Sequence, residues 1–221
     1  MTEPTKRRLI LLRHGQTEYN AGDRMQGQLD TDLTELGRSQ AKTAAAELAT
    51  RSPLRIMSSD LRRAYDTAVA LGDASDVVVD TDQRLRETHL GEWQGLTHLD
   101  VDAVAPGARA AWRADATMSP PGGESRIDVA RRSLPVVQEL VADLPEWGAD
   151  GANAPVVLVA HGGQIAALTA ALLDLPVDRW PVLGGLSNTS WVQLSSHGEG
   201  ENLGWRLDVW NASARVASDV L

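Results

Sequence analysis

Cysteine is absent from this chain of 221 residues. Without a thiol there is no disulfide framework, no thiolate zinc site and no cysteine nucleophile, which excludes the cysteine-dependent phosphatases and hydrolases. Long apolar runs are absent as well. The basic residues near the N-terminus precede only the run Leu9–Leu12, which is too short for a signal-peptide core or a membrane-spanning helix. We therefore expect a cytoplasmic protein whose residues 1–6 are mobile.

Positive charge is scarce. The chain has 21 lysines and arginines against 30 aspartates and glutamates, and its formal net charge is -9 at pH 7. Nucleic acids and anionic membranes are bound through a basic face, so this charge balance argues against both as partners. The expected partner is a small molecule. If that molecule is an anion, positive charge must be concentrated locally at its binding site.

The overall composition is that of a soluble globular protein, with 43% hydrophobic and 23% charged residues. A chain of this length buries enough apolar surface for one core. The Gly- and Pro-rich segments at 119–123 and 148–155 are interpreted as loops inside one domain. The regions on either side of them do not have the composition of a separate hydrophobic core. We therefore predict a single domain over residues 1–221.

Apolar runs and helical periodicities alternate along the chain. Arg8–Leu12 and Ala154–Ala160 each run into a glycine turn and are predicted to be buried parallel strands. The other predicted strands are Leu54–Ser58, Val77–Val79, Ser190–Leu194 and Trp205–Trp210; the predicted helices are Thr34–Arg51, Ser59 to Leu71, Glu124–Leu144 with an interruption or bend at Pro135, and Gln164–Leu173. This order predicts an α/β three-layer sandwich, a mostly parallel central sheet with helices on both faces.

Chemically active side chains follow several of the predicted strands. His14 and His161 each stand between an apolar strand and a glycine, and the carboxyl ends of parallel strands meet at one edge of the sheet. Other charged residues also fall at strand ends: Arg13, the pair Arg62 and Arg63, and Glu87. We therefore expect two histidines, two arginines and one glutamate to converge at this edge.

This combination suits the hydrolysis of a phosphate monoester. Such a reaction needs a nucleophile in line with phosphorus, positive hydrogen-bond donors for the phosphoryl oxygens and an acid for the leaving oxygen. A neutral imidazole can attack phosphorus, and guanidinium groups bind oxygens in a forked geometry that lysine lacks. No metal ion or other cofactor is needed in this scheme.

Four motifs carry a resemblance to a known family: Leu12–Thr17; Ser58–Ala64 followed by Thr67–Ala68; Leu85–Glu87 with Gly91–Gly95; and Val159–Gly163. In this order they resemble the histidine phosphatase superfamily, which also contains the cofactor-dependent phosphoglycerate mutases. The resemblance implies a phosphoglycerate mutase-like fold. It also implies His14 as the phosphohistidine nucleophile and Glu87 as the proton donor.

The same resemblance assigns residues around the phosphoryl group, namely Arg13, Arg63 and His161, with Asn20 as a further phosphate ligand and Gln26 as a substrate contact. Arg63 is chosen over Arg62 because only one of two adjacent helical residues points into a given pocket. Glu87 has an alternative interpretation, a salt bridge to Arg84 or Arg86. Three further histidines receive a structural interpretation: His89, His98 and His197.

A narrower resemblance, carried by Gln26–Thr31, Arg84–Gly91 and Trp205–Asn211, points to a subgroup of this family that acts on glycosylated phosphoglycerates. It implies such a substrate and a homodimer with C-terminal involvement. Aromatic faces suit sugars, so Trp93, Trp112 and Trp210 are candidate sugar contacts. Mutases usually carry a basic insertion near the acid loop, but Thr97–Thr117 has Arg109 and Arg113 without an adjacent arginine pair, which favours hydrolysis.

Two alternatives come from other classes. Asp30–Thr34 resembles the aspartate-nucleophile motif of magnesium-dependent phosphatases of the haloacid dehalogenase type. That motif needs its first aspartate at the end of a buried strand, which the Gln- and Gly-rich Met25–Leu29 does not provide, so we reject it. The second alternative is an inactive relative that only binds a phosphorylated partner. The presence of His14, Glu87 and His161 argues against it.

Overall fold

The computed structural model describes residues 6–149 and 154–214. Most of the N-terminal segment predicted to be mobile, residues 1–5, lies outside the described residues. The strands are β1 (Arg8–Arg13), β2 (Arg55–Ser58), β3 (Val79–Thr81), β4 (Val156–Ala160), β5 (Trp191–His197) and β6 (Gly204–Ala212). The helices are α1 (Glu18–Ala21), α2 (Glu35–Ala49), α3 (Arg62–Ser75), α4 (His98–Val104), α5 (Ala108–Ala114), α6 (Arg126–Asp143) and α7 (Gly162–Leu172). Short 3₁₀ helices lie at Gln83–Leu85, Gly91–Trp93, Val177–Val182 and Gly200–Asn202.

All six strands form one sheet in the order β3-β2-β4-β1-β5-β6. The first four in this order run parallel to one another, whereas β5 is antiparallel to β1 and β6 is antiparallel to β5. The predicted, mostly parallel α/β sheet is confirmed. Its antiparallel part consists of the last two strands of the chain, which complete the sheet at one edge.

Helices cover both faces of this sheet. Successive side chains of a strand point to opposite faces, so each central strand contributes apolar residues to both layers of helices. Leu9 and Leu11 of β1 share a buried cluster with apolar residues of α6 and α7. Ile10 and Leu12 belong to a second cluster with residues of α2 and α3. The central strands are therefore buried on both sides, which explains why their sequences are continuous apolar runs instead of alternating patterns.

Two glycines bring α2 close to the turn that follows β1. A Cβ atom on Gly37 in the first turn of α2 would lie 2.0 Å from the carbonyl oxygen of Gln16, and one on Gly15 would lie 2.4 Å from that of Gly37. Backbone meets backbone here, so neither position has room for a side chain. The hydroxyl of Thr34 accepts the Gly37 N–H and caps α2 at its N-terminus.

Two predicted boundaries were wrong for local reasons. The strand predicted at Val77–Val79 begins only at Val79, because Asp76 ends α3 in a left-handed conformation and Val77 donates its N–H back to Gly72. The helix predicted from Ser59 begins only at Arg62. Ser59 is thereby left outside the helix, at the carboxyl end of the sheet.

The sequence predicts an interruption or a bend at Pro135, and the interruption does not occur, because α6 continues through this residue. Proline removes one backbone hydrogen bond from a helix interior. Three neighbours of this proline, Val136, Val137 and Leu140, are buried in the core beside β1 and β4. Tertiary packing of this face outweighs the local cost of the proline.

The segment 97–117 follows the motif that contains Glu87 and Gly91–Gly95, and it forms the short helices α4 and α5. Apolar residues of this segment pack with those of two neighbouring loops in a small separate cluster, whose members include Met25, Leu90, Trp93, Val101 and Trp112. The segment 97–117 therefore lies against the loop that carries Gln26. Among the described residues, none of the helices combines the length and apolar character required to cross a membrane.

Candidate active site

His14 lies directly after β1, at the carboxyl edge of the sheet, and is only 3% exposed. Its Nδ1 lies 2.7 Å from the carbonyl oxygen of Gly15. A carbonyl only accepts hydrogen bonds, so Nδ1 carries the proton and Nε2 keeps its lone pair in the neutral ring. Nε2 in turn accepts a hydrogen bond from Nε of Arg63 at 3.3 Å. The imidazole is thus held in the tautomer that a nucleophile at Nε2 requires.

The surroundings of His14 keep this ring neutral. Burial is the main cause that lowers the pKa of His14 well below its ordinary value, and the nearby guanidinium groups of Arg63 and Arg13 lower it further. The hydrogen bond to Gly15 acts in the opposite direction but does not reverse the shift. A protonated imidazole has no lone pair at Nε2 to offer. The site therefore favours the nucleophilic form of the ring.

Arg63 connects the nucleophile to a neighbouring loop. It is 1% exposed, and its two terminal nitrogens donate to the carbonyl oxygens of Leu29 and Gly27, each at 2.8 Å. Burial lowers the pKa of Arg63 to about 10, while the carboxylate of Glu87 raises it. The adjacent Arg62 is exposed and pairs with Asp32 outside the site. The structure therefore places one arginine of the pair beside His14 and the other at the surface.

His161 lies at the end of β4 and is fully buried, with its ring centroid 5.2 Å from that of His14. Its Nε2 lies 2.9 Å from the hydroxyl of Ser59, whereas its buried Nδ1 has no hydrogen-bond partner among the described residues. Burial, followed by the charge of Arg63, lowers the pKa of His161 well below its usual value. Both rings are neutral, so they lie close together without charge repulsion.

Arg13, the last residue of β1, borders the same space. One terminal nitrogen donates to the carbonyl oxygen of Leu186, and the buried Nε has no partner in the described part of the chain. Burial lowers the pKa of Arg13, and the carboxylate of Glu87 raises it. Within the described residues, Arg13 therefore keeps a charged donor without a partner, and the neutral ring of His161 keeps a nitrogen without one. Anionic phosphoryl oxygens suit such donors.

Glu87 reaches the site from the loop after β3, and its carboxylate lies at the N-terminus of α7. It accepts N–H groups from Gly163 at 3.1 Å, Gln164 at 3.0 Å and Thr88 at 2.7 Å. Helix N-termini attract negative charge, which explains this position. The neighbouring arginines bind other carboxylates: Arg84 pairs with Asp82 and Glu139, and Arg86 with Asp60. Neither of them takes up the carboxylate of Glu87.

Asn20 belongs to the rim around His14. Its Oδ1 accepts the N–H of Thr17 at 3.1 Å and an N–H of the Asn188 amide at 3.2 Å. The same amide of Asn188 donates to the carbonyl oxygen of His14 at 3.1 Å. The side-chain nitrogen of Asn20 makes no hydrogen bond within the described ranges. It is therefore available to a ligand.

Gln26 is placed differently from the other predicted site residues. Its Oε1 accepts the hydroxyls of Thr17 at 2.9 Å and Thr31 at 2.7 Å, and the residue is 8% exposed. Gln26 therefore ties its own loop to the residue that precedes α1. The oxygen is fully used in these contacts, which leaves only the amide nitrogen for a substrate.

Several other candidates lie away from this cluster. His98 begins α4, His197 ends β5, and His89 uses its Nδ1 to accept the Gly91 N–H. Trp93 and Trp112 meet edge to face in the small cluster of segment 97–117, whereas Trp210 packs against the core on the side of α6 and α7. A sugar contact by any of these tryptophans stays a prediction.

Sequence reasoning missed three residues that hold the site together. Ser59 contacts His161, Thr67 accepts the N–H of Gly15 at 3.1 Å, and Asn188 links His14 to Asn20. Ser59 and Thr67 stand inside the motif of the second arginine, so their motif position was the available signal. Asn188 lies in a Gly- and Ser-rich loop that has no periodicity, and only the fold brings it to His14.

The rejected aspartate motif lies outside any strand. Asp30 accepts the N–H of Arg62 at 2.8 Å, and residues 25–30 have no strand conformation. This agrees with the rejection of that alternative. Within residues 6–149 and 154–214, no three side chains from His, Cys, Asp and Glu are grouped so that they could hold a metal ion.

Comparison with known proteins agrees with this geometry. A family model described as the histidine phosphatase superfamily, branch 1, matches residues 9–213. The chain belongs to the histidine phosphatase superfamily. The resemblance inferred from four motifs is therefore confirmed, and with it the prediction of a phosphatase with a phosphoglycerate mutase-like fold.

Two curated relatives are similar to this chain over almost their whole length. The chain is 69% identical to the glucosyl-3-phosphoglycerate phosphatase of Mycolicibacterium vanbaalenii, covering 97% of this chain and 99% of the relative. It is 68% identical to the protein of the same name from Mycobacterium tuberculosis, with the same coverage. A solved mycobacterial glucosyl-3-phosphoglycerate phosphatase in complex with VO3 superimposes with a TM-score of 0.92 at 69% identity, covering 94% of this chain and 100% of that chain.

The close approach of Glu87 to α7 generates a prediction. A Cβ atom on Gly163 would lie 2.6 Å from Oε1 of Glu87, whereas one on Gly162 finds its nearest neighbour, Nε of Arg13, at 3.6 Å. We expect Gly163→Ala to displace the carboxylate and lower kcat/KM for an alkyl phosphate by about tenfold or more. Gly162→Ala is the matched control and should stay near the native rate. Phosphate release measures both, and equal rates for the two variants would contradict this account.

Proposed function

We propose that this histidine phosphatase hydrolyses the phosphate monoester of glucosyl-3-phosphoglycerate through a phosphohistidine at His14. The observation that carries the mechanism is the fixed tautomer of His14, whose Nε2 lone pair is buried among arginines. The proposed substrate rests on the relatives, which share more than two thirds of their residues with this chain over nearly its full length.

In the first step, Nε2 of His14 attacks phosphorus. The new N–P bond forms as the ester P–O bond breaks, and the carboxyl group of Glu87 gives its proton to the leaving oxygen. Arg13, Arg63 and His161 surround the transferred group and supply hydrogen bonds to its oxygens. In the structure the Nε–H of Arg63 donates to Nε2 of His14. When the lone pair of Nε2 attacks phosphorus, this N–H donates to a phosphoryl oxygen instead, and Arg63 keeps its proton.

In the second step, water attacks the phosphohistidine. The carboxylate of Glu87 takes a proton from this water, the N–P bond breaks and inorganic phosphate leaves. The imidazole of His14 returns to its neutral form, which its surroundings favour. We assign Asn20 as a further phosphate ligand, supported by its free amide nitrogen. We assign Gln26 as a substrate contact through its amide nitrogen alone.

A phosphoglycerate mutase is the second candidate, because the family includes both activities. A mutase passes the phosphoryl group from the histidine to a second hydroxyl instead of water. The segment 97–117 has no adjacent arginine pair of the kind expected in mutases, and its Arg109 is already paired with Asp102 at 2.6 Å. Hydrolysis is therefore the better supported outcome. A cytoplasmic location stays a prediction from the sequence.

The proposal is tested by phosphate release from three esters: glucosyl-3-phosphoglycerate, 3-phosphoglycerate and an aryl phosphate. We expect a strong preference for the glucosyl ester. His14→Ala should lower its turnover by about 10³-fold or more, since no other residue replaces the nucleophile. Slow, unselective hydrolysis of all three esters would withdraw the named substrate. Near-native turnover by a folded His14→Ala variant would refute the covalent mechanism.

The role of Glu87 as the acid generates a separate prediction. Glu87→Gln should slow hydrolysis of an alkyl phosphate by about 10²-fold and that of an aryl phosphate much less, because an aryl oxide leaves without a proton. Rates for both esters, measured with the native protein and the variant, give the comparison. An equal loss for both would mean that Glu87 acts only in the structure of the loop.

We also propose that the protein is a homodimer with C-terminal involvement. The nine-residue strand β6 is the last in the sheet, and no other described strand pairs with its outer edge. A long open edge is a template for pairing with a second chain. Its Val209 is 38% exposed and is one of the large apolar side chains left at the surface of the described residues. A second copy of β6 fits this edge through a two-fold axis.

Light scattering after size exclusion tests this proposal. We expect twice the monomer mass of 23.7 kDa for the native chain and a shift towards the monomer for Val209→Lys, because lysine on an edge strand opposes pairing. Val104→Lys, at an exposed position of α4, is the control and should remain dimeric. A monomeric native chain at micromolar concentration would rule out the dimer.

A further inference from the structure

Arg132 of α6 lies behind the loop that carries Glu87. Its terminal nitrogens donate to the carbonyl oxygen of Arg84 at 2.7 Å and to that of Glu87 itself at 2.9 Å. The same guanidinium also binds the carboxylate of Glu124 through Nε at 2.8 Å and a terminal nitrogen at 2.9 Å. One side chain thus joins three separate acceptors, two of which belong to the backbone around the proposed acid.

Glu124 extends this contact to the other side of Glu87. Its Oε2 accepts the N–H of His89 at 2.8 Å. Arg132 therefore holds the loop before and at Glu87, and Glu124 holds it two residues later. Together with the N–H groups of α7 that bind the carboxylate, these contacts fix both the backbone and the side chain of Glu87.

Burial and charge indicate that the pair is more than a surface ion pair. The side chains of Arg132 and Glu124 are only 21% and 24% exposed. Burial alone would raise the pKa of Glu124, but hydrogen bonds from Arg132 and His89 outweigh it and leave the pKa below its ordinary value. Glu124 is therefore ionised at neutral pH. A charge-assisted, bidentate pair of this kind holds its geometry better than an exposed pair does.

Neighbouring arginines do not bind the carbonyl oxygen of Glu87. The side chain of Arg84 pairs with Glu139 of α6, which ties the start of the loop to the helix, and Arg86 pairs with Asp60. The side chain of Arg131, one residue earlier on α6, is 74% exposed and pairs with Asp128 on the same helix. Gln28 is the other side chain that donates to the carbonyl oxygen of Glu87, at 3.0 Å. Among the described residues, Arg132 is the residue of α6 that donates to the carbonyl oxygen of Glu87.

We infer that Arg132, held by Glu124, is a positioning residue that sets Glu87 for proton transfer to and from the phosphoryl site. It does not touch the substrate; it acts through the backbone of Glu87. The inference rests on the proposed role of Glu87 as the acid, and it adds Arg132 as the residue that positions Glu87. Proton transfer requires hydrogen-bond distance, so a displacement of this loop by about 1 Å is enough to impair it.

Kinetics with two esters test the inference. We expect Arg132→Ala to lower kcat for an alkyl phosphate by about tenfold or more, with little change in KM and a much smaller effect on an aryl phosphate. Arg131→Ala is the matched control at the preceding position and should leave both rates unchanged. An equal loss on both esters, or no loss on either, would overturn the inference.

A double-mutant cycle separates this inference from the proposed function. If Arg132 acts through Glu87, adding Arg132→Ala to Glu87→Gln should cause no further loss on the alkyl ester. Additive losses would overturn the inference while leaving the role of Glu87 intact. If Glu87→Gln alone shows no dependence on the leaving group, the proposed acid itself fails.

Two milder variants keep the test valid if Arg132→Ala does not fold. Glu124→Gln retains an oxygen for the His89 N–H but removes the charge that holds Arg132, and Arg132→Lys retains a charge without the fork. We expect both to show a smaller loss of the same kind, confined to the alkyl ester. Native selectivity between the two esters in both folded variants would overturn the inference.

Discussion

The site depends on the register between β1 and β4. These strands pair in parallel with Arg13 opposite Ala160, so the next residue of each, His14 and His161, leaves the sheet at the same level. The N–H of His14 donates to the carbonyl oxygen of Ala160 and continues the ladder into the site. If one of these strands slipped by one residue, its side chains would move to the opposite face of the sheet and the two histidine rings would be separated. Burial on both faces of the sheet fixes this register.

From this arrangement follows the electrostatic character of the site. Two imidazoles and two guanidinium groups share a buried space in a chain of net charge -9. Such a group of cations would repel itself if all four were charged, and the structure avoids this because burial keeps both rings neutral. The carboxylate of Glu87 balances part of the remaining positive charge. An incoming phosphate dianion therefore meets two charged guanidinium groups and a neutral imidazole that can act as a nucleophile.

Much of this could be predicted from the sequence, because strand ends and glycine turns leave local signals. His14 and His161 were found by their place after apolar runs, and the motif order gave Arg63 and Glu87. Two of the residues that were missed have no such signal. Asn188 and Arg132 reach the site only through tertiary contacts, the first from a loop and the second from the middle of a helix. Likewise, Pro135 suggested an interruption or a bend in α6, and core packing keeps the helix continuous there.

The contact between Gly15 and Gly37 has a consequence for how substrates can vary. With no layer of side chains between the turn of the nucleophile and α2, that wall of the site is solid backbone. Substitutions there cannot reshape the pocket without pushing the helix away from the sheet. By contrast, a Cβ atom on Gly184 or Gly185, in the loop before Asn188, would meet no atom within 4 Å, so this loop can accept side chains that the turn of the nucleophile cannot. Substrate range in such a site can diverge while the reacting atoms stay in place.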